Sequence, residues 1–232
     1  MQKRTLKVAI LAALTIVLVF SMSAAAFAQP SQYSDLNGAT VGPYKVTLEQ
    51  VSAIADVESG MFRPYADITR AEFAVMAVKA FDIPLVNPAT PSFPDVPATH
   101  ALYQYIEAAY KAGIIQGYTD GKFGPADTAT RQQMLSIIAR YVGGKAGYYA
   151  NGVWNFRTAD EINALVAHFG DAAAIDPAHK TAMAFSYAMG ITLGDAKGNL
   201  APLSKTMRLQ AAAMLIRSTA LVPFNAVYPA DV

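Results

Sequence analysis

Three arginines occupy equivalent places along this chain, each of them six residues after a proline. The pairs are Pro64 and Arg70, Pro125 and Arg131, and Pro202 and Arg208. An arginine guanidinium binds carboxylates and phosphates through paired N–H donors, and it keeps its charge at any physiological pH. The recurrence therefore predicts three related anion-binding positions.

The residues around each arginine place it at the start of a helix. Two of the segments have the pattern of a capping box, namely Thr69 with Glu72 and Thr130 with Gln133. The third has Gln210 at the same spacing, but Met207 precedes its arginine and has no hydroxyl for capping. We therefore expect Arg208 to contribute less to binding than Arg70 or Arg131.

A cation in the first turn of a helix opposes the helix macrodipole, at a cost of about 0.3 to 1 kcal/mol. An anion held by the free N–H groups of that turn and by the guanidinium would offset the cost. The alternative is that each arginine pairs with a neighbouring acid such as Asp67 or Asp127, and such surface pairs contribute little to stability. The residue pattern alone leaves both interpretations open.

Each arginine is followed by apolar residues at the spacing of a helix with one buried face. They stand three, six and seven positions later: Phe73, Met76 and Ala77; Met134, Ile137 and Ile138; and Ala211, Met214 and Leu215. In the second unit a further helix is predicted over 102–112, with Gly113 and Gly117 in the turn after it. The first unit has Ser52 and Asp56 at the positions of those two glycines, so we expect its turn to be irregular.

An aromatic residue and an aspartate mark the beginning of each unit. The segments are Phe93-Pro94-Asp95, Phe169-Gly170-Asp171 and, less closely, Tyr33-Ser34-Asp35. We divide the chain into units at 29–88, 89–143 and 167–232. The intervening 144–166 contains Asn151-Gly152, which predicts a surface excursion held in place by Trp154 and Phe156.

Composition limits the classes of function. The chain has 232 residues, 53% of them hydrophobic, and a formal net charge of +1. This composition excludes a disordered tail and a polybasic nucleic-acid binder. The absence of cysteine excludes disulfides, thiol nucleophiles and a lipid-modified N-terminal cysteine.

The first 28 residues have the features of a cleaved signal peptide. Lys3, Arg4 and Lys7 precede an apolar run over 8–20, and Ala26-Phe27-Ala28 is a small-x-small cleavage site. The alternative is an uncleaved anchor, but the run is shorter than the roughly 18 residues that span a bilayer. Cleavage after Ala28 would leave a mature protein without a transmembrane segment, and we expect it to be secreted to the cell wall.

These motifs resemble the S-layer homology family. The resemblance is carried by Phe93-Pro94-Asp95-Val96, by the segment from Gly113 to Phe123, by Thr130-Arg131-Gln132-Gln133 and by Ile68-Thr69-Arg70-Ala71-Glu72. It implies an all-α fold of three helix-turn-helix repeats around a pseudo-threefold axis. It also implies binding to a secondary cell-wall polysaccharide, whose acidic and often pyruvylated sugar lies in grooves between repeats. Two departures are Ala101, where the family usually has tryptophan, and Met207 in the third segment.

The resemblance and the capping pattern together give a set of candidate ligand-binding residues: Arg70, Arg131, Arg208, Glu72, Gln133, Gln210, Thr69 and Thr130. Asp120 and Gly121 join the set as residues of the groove rim, although turn formation is the simpler role for them and for Asp195. His100, His168 and His179 lack metal-ligand spacing. We expect no metal and no cofactor.

Two other classes of function remain as alternatives. The sequence has no Gly-x-Ser-x-Gly turn and no His-Glu-x-x-His helix, and Glu72 is committed to capping. Glu107 and Glu161 have no evident carboxylate partner, so hydrolysis of a wall glycan is a remote possibility. A structural protein that self-assembles, or that recruits other surface-layer proteins, is the nearer one. The third motif ends close to the C-terminus, and we expect no cargo domain after it.

Overall fold

The computed structural model describes residues 32–56 and 60–221. The predicted signal peptide and its cleavage site lie outside these residues. In the described part the chain is all-α, with one short hairpin as its only β-sheet. The helices are α1 (Gly38–Val41), α2 (Leu48–Ile54), α3 (Arg70–Ala80), α4 (Tyr103–Lys111), α5 (Arg131–Lys145), α6 (Ala159–Val166), α7 (Pro177–Ala188) and α8 (Arg208–Thr219). The hairpin strands are β1 (Tyr149–Ala150) and β2 (Val153–Trp154).

The three helices that begin at the recurring arginines supply the centre of the core. Helix α8 contacts both α3 and α5. The residues that the helical period places inside are buried: Phe73, Met76, Ala77, Met134, Ile138, Ala211, Met214 and Leu215. Ile137, which we also expected in the core, is only partly buried. Burying each large apolar side chain stabilises the fold by roughly 1.5 to 3 kcal/mol.

The helix before each turn packs against the arginine helix of a different unit. Helix α4 contacts α3, α7 contacts α5, and α2 contacts both α8 and α3. The units are therefore interleaved, and the surfaces between them bring the turn of one unit beside the arginine of another. Across the described residues, no helix is long and apolar enough to cross a bilayer.

Three aspartates fix the loops that lead into the arginine helices. Each carboxylate accepts hydrogen bonds from two successive backbone N–H groups at 2.7 to 2.9 Å. Asp35 binds the N–H groups of Phe62 and Arg63, Asp95 those of Phe123 and Gly124, and Asp171 those of Leu200 and Ala201. The second residue of each pair is left-handed, with φ of 57°, 68° and 52°. Since only one of the three is glycine, the carboxylate compensates a conformation that arginine and alanine rarely adopt.

The segment between the second and third units is a hairpin followed by α6. Asn151 and Gly152 form its turn with φ of 52° and 82°, as a two-residue type I′ turn requires. Trp154 packs on Phe185 with ring centroids 5.2 Å apart, which agrees with its predicted anchoring role. Gly143 of α5 makes room for this indole, because a Cβ there would lie 2.8 Å from the Trp154 ring.

Candidate functional site

The starts of the three arginine helices are docked onto loops of other units by backbone hydrogen bonds. Arg70 N–H donates to the Asp127 carbonyl at 2.8 Å, Arg131 N–H to Ser204 at 2.8 Å, and Arg208 N–H to Ala66 at 2.9 Å. The next N–H of each helix donates to a proline carbonyl, of Pro125, Pro202 and Pro64 respectively. These donors are therefore occupied. The first two N–H groups of each of these helices are thus unavailable to an anion, so an anion at a helix start would be held mainly by side chains.

The capping residues differ among the three starts. Thr69 and Glu72 form a complete capping box, with bonds of 3.2 and 2.8 Å. At the second start, Gln133 accepts from Thr130 N–H at 2.9 Å, but the buried Thr130 hydroxyl has no partner. At the third, Gln210 accepts from Met207 N–H at 3.2 Å. Glu72, Gln133 and Gln210 thus each accept a hydrogen bond from the backbone N–H of the N-cap residue.

Arg70 lies in an open groove between its own helix and the turn after α4. Its Nε donates to the Phe123 carbonyl at 2.8 Å and its Nη2 to the Gln116 carbonyl at 2.7 Å. The guanidinium lies 4.6 and 4.7 Å from the ring centroids of Tyr118 and Phe123, which fixes its orientation. Burial lowers the pKa of Arg70, and nearby Tyr118 and acidic groups offset part of that effect.

We call this cavity groove 1, and it has a volume of about 480 Å³. Its charged lining residues are Arg70, Arg140 and Lys145, together with the titratable His179. No described Asp or Glu lines it. The uncompensated positive charge makes groove 1 suited to an anion.

Arg131 lies in a second cavity, groove 2, of about 850 Å³. Its Nη2 donates to the Thr192 hydroxyl at 2.9 Å, whereas its Nε has no partner in the described structure. Arg217 lines the same groove and donates to the carbonyls of Ile191 and Tyr44, both at 2.9 Å. Burial, and then the charge of Arg131, lower the pKa of Arg217 to about 10. Two buried cations held close together favour a bound anion between them.

Groove 2 also contains further charged residues. Lys45 and Lys205 add two cations, and Asp195 is the one acidic residue among its described lining. The Asp195 carboxylate accepts from the N–H groups of Lys197 and Asn199 at 2.8 and 2.9 Å, as expected of a turn residue. Asp120 likewise accepts from Lys122 N–H at 3.0 Å, and neither Asp120 nor Gly121 lines groove 1.

Arg208 has a different environment, because its side chain is fully buried. Both of its terminal nitrogens bind the Asp56 carboxylate, Nη1 also lies 2.8 Å from Glu72, and Nε donates to the Phe62 carbonyl at 2.7 Å. Burial alone would lower the pKa of Arg208, but Asp56 and Glu72 raise it. The anionic partners of Arg208 are therefore two carboxylates of the protein itself.

A single position accounts for this difference. Asp56 occupies the place of Gly117 and Gly194, where a Cβ would lie 2.8 Å from the ring of Phe93 or Phe169. The irregular turn expected from the sequence thus supplies the carboxylate that closes the third interface. The acids proposed as alternative partners do not bind the arginines: Asp67 lies 3.5 Å from Lys205, and Asp127 accepts from the Tyr118 hydroxyl at 3.0 Å.

Sequence reasoning missed several residues of the grooves. Arg140 and Arg217 each stand nine positions after a recurring arginine, as does Lys79, and this shared spacing was a signal in the sequence. His179 was expected to have a packing or helix-start role. It lines groove 1, and its Nδ1 lies 2.8 Å from the Ser136 hydroxyl.

Comparison with known proteins shows which proteins this chain resembles. The S-layer homology domain model matches residues 53–74 and 92–135. An exoglucanase, XynX, of Acetivibrio thermocellus is 32% identical over 171 residues, which are 72% of this chain and 14% of the relative. The S-layer protein sap of Bacillus anthracis is 34% identical over 91 residues, which are 39% of this chain and 11% of the relative.

An endoglucanase of Bacillus sp. strain KSM-635 is 32% identical over 98 residues, which are 42% of this chain and 10% of the relative. The chain therefore spans about a tenth of the length of the curated relatives it matches. It contains S-layer homology sequence at residues 53–74 and 92–135, and its similarity to S-layer and cell-surface proteins supports a place at the cell surface, in association with the wall.

Proposed function

We propose that this protein is a non-enzymatic, noncovalent cell-wall anchor that binds an acidic secondary wall polysaccharide in grooves 1 and 2. The observation that carries the proposal is the excess of cationic over acidic side chains in the lining of the two cavities. Together they hold seven Lys and Arg residues and one described acidic residue. The whole chain has a net charge of only +1, so bulk electrostatics would not attract an anionic wall. The grooves concentrate the attraction locally.

In this proposal the units at 29–88, 89–143 and 167–232 are three repeats around a pseudo-threefold axis, with 144–166 as an excursion. The cyclic docking of the arginine helices supports it, because unit one docks onto unit two, unit two onto three, and three onto one. Equivalent surfaces between repeats would then form grooves 1 and 2 and the interface closed by Arg208. A pyruvyl or other carboxylate group of the glycan would contact Arg70 or Arg131.

The residues that line the two grooves argue against catalysis. Retaining and inverting glycosidases need two carboxyl groups roughly 5 to 9.5 Å apart across the scissile bond. Groove 1 has no described carboxylate and groove 2 has only Asp195, which is held by backbone N–H groups. The alternatives are an adaptor or self-assembling surface protein, and sedimentation of the mature protein alone would reveal self-assembly.

The proposal is tested by pull-down with purified walls, before and after chemical extraction of the non-peptidoglycan polymer. We expect the parent protein to bind intact walls and to lose binding after extraction. The double variant Arg70→Ala/Arg131→Ala should fail to bind intact walls, while the exposed Lys111→Ala serves as a control with unchanged binding. Retained binding to extracted walls would point to peptidoglycan and overturn the proposal, as would release of reducing sugar from the walls.

A further inference from the structure

Groove 1 extends well beyond Arg70, because one face of helix α5 forms its floor. The lining residues of α5 are Gln133, Ile137, Arg140, Tyr141, Gly144 and Lys145, which recur every three to four residues, twice as adjacent pairs, and so share one face of the helix. At 1.5 Å per residue, the distance from Gln133 to Lys145 along the helix is about 18 Å. A single carboxylate on Arg70 would leave most of this length unused.

Two cations lie in the distal part of the groove without a protein counter-ion. Arg140 corresponds by position to Lys79 and Arg217, which donate to the carbonyls of Ala55 and Ile191. Arg140 makes no side-chain hydrogen bond and no ion pair with any residue that the structure describes. The Lys145 ammonium lies 5.5 Å from the centroid of the Tyr141 ring, and it forms no ion pair with any described residue. Both side chains are therefore available to a ligand.

The hairpin supplies a wall at this end of the groove. Tyr149 of β1 lines the cavity, and its ring packs against Trp154 at 5.0 Å. Because Trp154 is seated over Gly143 and Phe185, the position of Tyr149 is fixed by the core. An aromatic face beside two cations suits a sugar ring that carries an acidic group. Groove 2 has no counterpart of this hairpin among its described lining residues.

We propose that groove 1 contains a second anion subsite, formed by Arg140 and Lys145 and walled by Tyr149, which binds a second acidic group of the same glycan. The ligand of groove 1 is then an internal stretch of a polyanionic glycan with acidic groups on successive repeating units. This inference rests on the proposed function, since Arg70 must hold the first acidic group.

The test uses acidic polysaccharide released from the host's own walls and size-fractionated into fragments with one acidic group and fragments with several. Calorimetry is done in an Arg131→Ala background, so that groove 2 does not contribute. We expect the longer fragments to bind at least about tenfold more tightly, the factor for one additional charged hydrogen bond. Arg140→Gln/Lys145→Gln should abolish this gain, so that in this variant the longer fragments bind no more tightly than the short fragment.

The control is Lys111→Gln/Lys180→Gln, which removes the same charge from positions outside groove 1 and should keep the full gain. Tyr149→Ala should reduce the ratio between the affinities for long and short fragments, and thermal melting checks that each variant is folded. If the Arg140/Lys145 variant keeps the tenfold gain, or if the parent binds all fragments equally, the second subsite is wrong while wall anchoring stands. If the parent protein binds no fragment of either length, the proposed function itself fails.

Discussion

Arg131 and Arg208 begin equivalent helices and dock through equivalent backbone bonds, yet their side chains have opposite environments. Arg131 faces a cavity with one unpaired nitrogen and a second arginine nearby, whereas Arg208 is fully buried between Asp56 and Glu72. The helix start is the same in both cases. The residue on the facing loop, Gly194 or Asp56, decides whether the arginine is available to a ligand or contributes to the fold.

The largest expected effect is on stability at the closed interface. Arg208→Ala would leave the buried Asp56 carboxylate without its counter-ion, although Glu72 would keep Arg63 at 3.3 Å, and we expect a loss of about 3 to 5 kcal/mol, typical of a broken buried pair. Arg131→Ala should change the free energy of unfolding by less than about 1 kcal/mol, since its charge is unpaired. Chemical denaturation of both variants measures the difference. Equal losses would show that the two arginines have the same role.

The affinity for wall polysaccharide should depend more on Arg131 than on Arg208, which is the opposite of their order in stability. Arg131→Ala should weaken the affinity for wall polysaccharide by about 1.5 to 3 kcal/mol, the range for a charged hydrogen bond. Arg131→Lys should also weaken it, because an ammonium keeps the charge but loses the paired donors. Calorimetry with circular dichroism as the folding control is the measurement. A parent-like affinity for both Arg70→Ala and Arg131→Ala would mean that neither arginine binds the ligand.

A variant that opens the interface between Asp56 and Arg208 tests the comparison of Arg131 with Arg208 further. Asp56→Gly restores the residue of the other two units and removes the bidentate partner of Arg208, so we expect a loss of about 1 to 3 kcal/mol of stability. Glu72 still contacts Arg208 in this variant, which keeps the loss below that of Arg208→Ala. Acidic wall fragments should restore part of the melting temperature of Asp56→Gly beyond their effect on the parent. An identical ligand-induced shift in both proteins would mean that the third interface stays closed without Asp56.

The smallest expected difference in stability concerns the N-cap residues of α3 and α5. Thr69 closes a complete capping box, whereas the Thr130 hydroxyl has no partner. Thr69→Ala should therefore cost about 1 kcal/mol, the usual value for a lost N-cap, and Thr130→Ala should cost less. Thermal melts of the two variants are sufficient to compare them. A larger loss for Thr130→Ala would contradict the described hydrogen bonds.

The sequence predicts the features that depend on local spacing. The three helix starts, the buried positions that follow them and the three aspartate segments agree with the structure, apart from the partial exposure of Ile137. Each of these follows from helical periodicity or from capping chemistry within a few residues. The all-α fold class was implied by the resemblance to the S-layer homology family.

The features that depend on distant partners were not predictable. Asp56 binds Arg208 across 152 positions of sequence, and nothing local to either residue indicates the other. The first two N–H groups of each arginine helix are occupied by carbonyls of another unit, and no local pattern in the sequence indicated these partners. The cations nine residues after each recurring arginine can be found in the sequence. Their spacing does not show that Lys79 and Arg217 donate hydrogen bonds to carbonyls while Arg140 does not.

The pairing of Asp56 with Arg208 also has a consequence for the order in which the chain folds. Contacts between residues far apart in sequence form late, because the loop between them must close first. An exported chain that emerges from its N-terminus presents Asp56 and Glu72 long before α8 arrives. The interface that Asp56 and Glu72 close in the first unit can therefore form only after α8 has also emerged.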